Sequence, residues 1–437
     1  MLFNKGLALS GAMLAAAIPA PVVAAELVAP TKVARVFTVS NLTELRTALA
    51  EAQKVAGAEI RLNPGNYGAL IWNYKSYPLG RVYVVAATRT KPVFSSIQAA
   101  SSNNMSFHGL KVTGGGGKLV QLNGSQNMSF TGGEISGFTE NGNPWDESAT
   151  ALQVRFSKNV LVQDNKFSDV RAAIYTQRSE RVTLRYNRVI SVREGFNMVS
   201  TDDLQVRGNH FSNFYPRYDL REHPDAMQFW TTGEVKGSNR VRILENFIAM
   251  GGKRAIQGIF GGSEVAGVRH SDWEVTRNVY YGSSVHGMSF GAIDGLKVSN
   301  NVIVASPHAD VNNSIRSADG TESGGYLPRF RVRLTTGVVG WNNVLMTNGV
   351  SRDAGSQVTQ YDNWDIVDAM GWGGVPWTDL FAAGRPTSEA PALSEFITKS
   401  PSAARTRNGG VLTPFVHGVR PTTKDQTFAE VRTILGN

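Results

Sequence analysis

The chain has 437 residues, 44 Lys and Arg against 35 Asp and Glu, a formal charge of +9 and no cysteine. The missing cysteines exclude a disulfide-stapled scaffold, and no stretch beyond the first 25 residues is apolar for long enough to span a bilayer. The positive balance suits a polyanionic partner.

Residues 1–25 hold one charge, Lys5, an apolar run from Leu7 to Ala17, and the small residues Val23 and Ala25 before Glu26. This is the layout of a secretory signal peptide, so the mature chain is expected to begin near Glu26, to carry +8, and to be exported to the periplasm or beyond. In that setting an acidic polysaccharide or oligosaccharide is the expected partner, with no nucleic acid, no membrane span and a monomeric chain. Asn41-Leu-Thr-Glu44 reads as a helix start, with Asn41 as N-cap and Glu44 three residues on. Leu42, Leu45, Ala48, Leu49 and Ala52 then share one face, which suits a lid on the open end of a solenoid.

After a strand at Ile60-Arg-Leu62, the turn Asn63-Pro-Gly-Asn-Tyr67 and weak cassettes at Met105-Ser-Phe107 and Met128-Ser-Phe130, a regular repeat begins. Its form is apolar-x-apolar-x-x-Asn-x-apolar, as in Val182, Leu184, Asn187 and Val189, then Leu204, Val206, Asn209 and Phe211. Asn165, Asn187 and Asn209 are 22 residues apart, and Asn246, Asn278 and Asn301 continue the series. A fixed period this short, with period-two apolar residues, predicts coils of short strands with an asparagine ladder at one turn. The expected fold is all-β, a single parallel β-helix over residues 26–350, with residues 351–437 as an irregular C-terminal cap packed along it.

A second strand per coil aligns as Thr150-Ala-Leu-Gln153, Ala172-Ala-Ile-Tyr175, Glu194-Gly-Phe-Asn197, Asp225-Ala-Met-Gln228, Arg254-Ala-Ile-Gln257, His286-Gly-Met-Ser289 and Asn313-Ser-Ile-Arg316. The middle pair stays small then apolar. The flanking columns mix acid, base, amide and aromatic groups, which suits a binding cleft. The longest insertion, Phe214 to Pro224, enters beside this column, and further expansions fall near residues 138–148 and 260–272.

The densest cluster of reactive groups is Arg221-Glu-His-Pro-Asp225. The candidate catalytic set is His223, Asp225, Lys253 and Arg254, drawn from two neighbouring coils, with His223 or Lys253 able to remove a proton and Arg193 or Arg254 able to hold a carboxylate. The candidate substrate-binding set is Tyr175, Arg193, Glu194, Asn197, Tyr218, Arg221, Gln228, Trp230, Gln257 and His286. Structural roles compete: Asp225 as a turn cap, Arg254 as its ion-pair partner, Gln228 and Gln257 as an amide ladder.

With its amphipathic lid, Ile60-x-Leu-x-x-Gly65-x-Tyr67 and the Asn-x-apolar coils, the chain resembles the right-handed parallel β-helix polysaccharide lyases and epimerases, including chondroitinase B-like alginate lyases and mannuronan C5-epimerases. The resemblance spans roughly residues 35–350 and implies a right-handed solenoid acting on uronates. Such epimerases carry Asp-Pro-His-Asp, against which Glu222-His-Pro-Asp225 has similar chemistry in another order. The lyases pair a lysine base with an arginine one coil away. Lys253 matches the lysine, whereas Arg277 falls in the asparagine turn. The resemblance implies Ca²⁺ as a cofactor, yet no carboxylate set for it is evident in the sequence. Three activities stay open: β-elimination on a uronate polymer, glycoside hydrolysis by Glu194 with Asp225, and non-catalytic glycan binding on aromatic platforms such as Tyr218 and Trp230.

Overall fold

A computed structural model describes residues 33–435 except 140, 218–221, 223, 251–255, 307–313, 317–321, 325–326, 347–349, 354, 367–374 and 400–408. His223, Lys253, Arg254, Tyr218 and Arg221 therefore lie outside the described residues.

The chain winds into a right-handed parallel β-helix with three faces. The first sheet starts at Arg35–Val39, runs through strands such as Lys158–Gln163 and Glu180–Arg185, and ends at Val358–Tyr361. The second and third are continuous where two long strands, Lys166–Gln177 and Arg188–Val199, bend from one face to the next. Each coil repeats the pairing of the one before, as in Val160↔Val182 and Phe167↔Val189. Alternate residues point inward, so Val160, Leu184, Phe167, Phe211, Leu152, Phe196 and Met227 are fully buried in one continuous core.

Two features of sequence set the corners. Between the first and second sheets, a residue with left-handed backbone precedes each ladder asparagine: Asp164, Tyr186, Gly208, Glu245, Arg277 and Asn300, with φ from 55° to 63°. Each following asparagine is buried. Its Oδ1 accepts from the backbone N–H and the Nδ2 of the asparagine one coil earlier, from Asn165 through Asn187, Asn209, Asn246, Asn278 and Asn301 to Asn343. Parallel coils about 4.8 Å apart let one amide satisfy the turn above it and still bond to its own ladder.

Between the second and third sheets the corner position is small over six successive coils, Ala151, Ala173, Gly195, Ala226, Gly258 and Gly287, with Leu119 in the coil before and Arg329 in the coil after. A Cβ on Gly195 would lie 2.1 Å from the Ala226 carbonyl oxygen, and one on Gly258 2.1 Å from that of Gly287. Because backbone cannot yield cheaply, Gly195→Ala is expected to destabilise the protein by about 1–3 kcal/mol. A thermal midpoint equal to that of the parent would contradict this account of the corner.

The first coil is closed by the helix Leu42–Ala52. The Asn41 side chain accepts from the Glu44 N–H, the Glu44 carboxylate accepts from the Ser40 N–H, and Leu45, Ala48, Leu49 and Ala52 are buried. At the other end the chain turns back. Trp377, Leu380, Phe396 and Phe415 cover the outside of the second sheet at Phe247, Val279, Val302 and Val344. The strap then crosses to the first sheet, where helix Lys424–Leu435 packs Phe428 on Tyr83 and Val431 on Leu161. Arg420 bonds Asp164 and Glu430, and Glu430 in turn bonds Arg185.

The expected alignment needs two corrections. Asp225 is in register with Gln257, and Gln228 with Phe260, so Gln257 stands three places earlier than the proposed Gln228–Gln257 amide pair requires. Asn313-Ser-Ile-Arg316 does not supply a coil either. Its Ser314–Arg316 pairs antiparallel with Glu322–Gly324, and Phe330–Arg333 takes the place beside Met288–Gly291.

Candidate functional site

The third sheet has one strand per coil over Thr150–Arg155, the ends of the two long strands, Asp225–Trp230, Gln257–Gly261, Met288–Gly291 and Phe330–Arg333. Its mid-strand outward column reads Gln153, Tyr175, Asn197, Gln228, Phe260, Ser289 and Arg331. Amides and rings in one line make a platform for the hydroxyls and faces of successive sugars. The Tyr175 and Trp230 rings lie 6.4 Å apart on it.

At the corner, Ala172 is in register with Glu194, and the Phe196↔Met227 pairing puts Glu194 level with Asp225, followed by Gln257. Asp225 is 3% exposed, and among the described residues neither carboxyl oxygen has a hydrogen-bond partner; the Gln257 Oε1 has none there either. Burial, reinforced by the neighbouring Glu194, pushes the Asp225 carboxyl well above the usual carboxylate range. Glu194 is less enclosed, with 17% of its side chain exposed, and its Oε2 accepts from Arg171 at 3.3 Å and from Asn197 at 3.2 Å. Burial still raises it, against the pull of Arg171 and with a further push from Glu222. Two acids thus stand one coil apart, both biased towards the protonated form.

The insertions lock together next to this pair. Arg193, 6% exposed, binds both Glu222 carboxylate oxygens and the Glu147 carbonyl. The Trp145 indole donates to the Tyr215 carbonyl, and Arg217 donates to the Trp145 carbonyl. Arg193 is thus a staple between coil and loops rather than a free cation for a sugar carboxylate, which corrects its expected substrate-binding role. The Gln257 N–H donates to the Pro224 carbonyl, so the strands Asp225–Trp230 and Gln257–Gly261 begin side by side.

Further along the same face lies a groove of about 400 Å³, lined by Phe260, Glu264, His286, Ser289, Arg331 and Arg333, of which sequence reasoning named His286 and the expansion near 260–272 but not the arginines. His286 Nδ1 is 2.9 Å from the Ser289 hydroxyl, and burial with Arg331 and Arg329 nearby lowers its pKa, keeping the ring neutral at pH 7. Arg331 pairs with Asp353, while Arg333 has no ion-pair partner among the described residues. The available signal was Phe330-Arg-Val-Arg333, an alternating strand with both arginines outward.

Tyr175, Glu194, Asn197, Gln228 and Trp230 all lie on this face, and Gln257 and His286 lie at its corner and groove. A Ca²⁺ site is not built from the described residues: no three His, Asp or Glu side chains group there, Glu194 is held by Arg171 and Asn197, and Asp225 is closed off. No helix among the described residues is long and apolar enough to cross a membrane.

A family model for the right handed beta helix region matches residues 95–218. No curated protein matches the chain. Among solved structures, an alginate lyase from Paenibacillus sp. str. FPU-7 is 12% identical with a TM-score of 0.39, over 75% of this chain and 99% of that one. A PL6-family alginate lyase variant is 12% identical with a TM-score of 0.48, over 88% of this chain but only 58% of its own length. The A-module of a mannuronan C-5 epimerase from Azotobacter vinelandii is 14% identical with a TM-score of 0.33, over 75% and 100%. At these levels the similarity concerns the solenoid fold.

Proposed function

We propose that this chain is an exported polysaccharide-active enzyme that lays an anionic glycan along the third sheet and cleaves it by β-elimination at the Glu194–Asp225 corner. The observation that carries this reading is the pair of in-register acids, one buried and without a hydrogen-bond partner among the described residues, at the edge of a face lined by amides, aromatic rings and arginines. Buried acids without partners cost stability, and such groups concentrate where chemistry is done.

In this scheme the sugar meets Glu194, the more open member. Asp225 sits behind it as a neutral neighbour that holds the pair's charge to one. His223 or Lys253 removes the proton next to the uronate carboxyl, and Arg254 neutralises that carboxylate so the proton is more acidic. The electron pair left on carbon forms the double bond as the C–O bond to the next sugar breaks. Protonated Glu194 donates its proton to the departing oxygen. His286, Arg331 and Arg333 hold the chain further along.

Hydrolysis is the second reading, favoured by the same register. Adjacent parallel strands place equivalent side chains about 5 Å apart, the separation of a retaining acid and nucleophile. The test is to incubate the mature protein with alginate, pectate, glycosaminoglycans and neutral glycans, following both the conjugated double bond and reducing ends. Elimination yields both signals in equal amount, hydrolysis yields reducing ends alone, and neither signal on any polymer would defeat the enzymatic reading. Binding to the acidic polymer is expected to weaken as salt rises past roughly 0.1 M, where charges are screened beyond about 10 Å. Salt-insensitive binding to a neutral glycan would contradict the choice of partner.

A further inference from the structure

Away from the third sheet, the first sheet and the C-terminal strap line an open cavity of about 690 Å³, larger than the groove on the third sheet. That volume falls within the roughly 300–1,000 Å³ of small-molecule sites. Its charged lining is Arg61, Arg89, Lys91 and Lys424 against one acid, Glu59. Glu59 is shared by Arg61 at 2.8 Å and Lys424 at 2.7 Å, and Lys91 reaches Glu134 just outside at 2.9 Å. Arg89 is exposed and has no ion-pair partner among the described residues. The cations therefore outnumber the acids that face them.

The cavity exists for a reason visible in the coil corners. The left-handed corner position carries Asp164 and Tyr186 where the strap docks, and both side chains meet Arg420. One and two coils before Asp164 the same position is Gly132 and Gly109, with φ of 60° and 72°. A Cβ there would press on the His108 ring at 3.0 Å and on Ala86 at 3.3 Å. With no side chains filling the corner, the strap bridges an open floor, and Lys424, 365 residues from Glu59 in sequence, closes its wall. His108 faces the same space, its pKa pushed down to about 4 by burial, so it is a neutral hydrogen-bonding group at pH 7.

We infer that this cavity is an accessory site for one anionic sugar unit, its carboxylate held by Arg89 and Lys91 and its hydroxyls by the neutral His108 and the backbone of the glycine floor. The anion site stands on the cavity itself; the assignment to a sugar rests on the proposed function. Such a site lets the enzyme grip an acidic polymer away from the face that cleaves it.

The test is calorimetric titration of the full mature chain with galacturonate, galactose and inorganic phosphate. An Arg331→Ser/Arg333→Ser protein, whose third-sheet groove has lost its carboxylate contacts, is compared with the same protein carrying Arg89→Ser/Lys91→Ser as well. Galacturonate is expected to bind the first, to bind the second on the order of tenfold or more weakly, and galactose to bind neither. Adding Arg89→Ser/Lys91→Ser should leave the thermal midpoint unchanged, because Arg89 is exposed and the Lys91–Glu134 pair is open to solvent. Galacturonate binding that Arg89→Ser/Lys91→Ser leaves unchanged, or that is already absent from Arg331→Ser/Arg333→Ser, would overturn the site. Phosphate binding as tightly as galacturonate would overturn its assignment to a sugar. Loss of cleavage activity in the polymer assay with this binding intact would count against the third-sheet reading and leave the cavity standing.

Discussion

Glu194→Gln is expected to lower turnover on the acidic polymer by about 10²- to 10⁴-fold, the usual contribution of a positioned proton donor, while Asp225→Asn loses activity and gains stability at neutral pH. The two results have one cause. Asp225 is buried without a hydrogen-bond partner among the described residues, and burial together with Glu194 raises its folded pKa well above 3.8. A raised folded pKa means the protonated form is the one the fold tolerates. That contribution is fully present below the unfolded value near 4, is lost as pH rises through the interval up to the folded pKa, and stays lost above it. Asparagine has the same shape and never ionises, so the midpoints of parent and variant should agree at about pH 4 and diverge in the variant's favour towards pH 7. Turnover should fall as well, because asparagine cannot pass a proton to Glu194 once Glu194 has given up its own. A variant less stable than the parent at pH 7, or Glu194→Gln with parental turnover, would remove the pair from the mechanism.

Asn209→Ala should be among the most damaging single changes in the coils. Asn209 is fully buried; its Oδ1 accepts from the Asn187 N–H and Nδ2, and its Nδ2 donates to the Leu184 carbonyl and the Asn246 Oδ1. Truncation leaves the Asn187 N–H and the Leu184 carbonyl orphaned in the core, each costing about 1–3 kcal/mol, so a loss on the order of 3 kcal/mol or more is expected. Asn209→Asp should be no better, since its carboxylate cannot donate to Leu184 and buries a charge. Denaturant unfolding of both variants measures this. A loss within about 0.5 kcal/mol, as at ordinary surface sites, would mean the ladder is not what holds the corner.

The ladder was legible because a β-helix spends one residue type on one job at a fixed spacing. Asn165, Asn187 and Asn209 need no context to be read, and the helix lid follows from Asn41 and Glu44 alone. The third-sheet register was legible as far as Asp225 and again at His286-Gly-Met-Ser289, and failed at the coil between them for a specific reason. The coil after Asp225 offers two small-then-apolar pairs in succession, Ala255-Ile256 and Gly258-Ile259, and the recurring glutamine favours the first. The backbone takes the second, because only a glycine fits under the Gly287 carbonyl. Asn313-Ser-Ile-Arg316 misled in the same way, imitating a cassette inside a hairpin. The Arg193–Glu222 staple and the cavity under Lys424 join residues across insertions of irregular length, or across most of the chain, and no local pattern encodes such contacts.

The claim that the third sheet carries the glycan is tested most directly by a crystal structure of the Asp225→Asn protein soaked with an acidic oligosaccharide. The account predicts sugar density running across Tyr175, Asn197, Gln228 and Phe260, with a glycosidic oxygen within hydrogen-bond reach of Glu194 and a carboxylate near Arg331 or Arg333. An oligosaccharide bound only to the first sheet or along the C-terminal strap, with the third sheet bare, would contradict it.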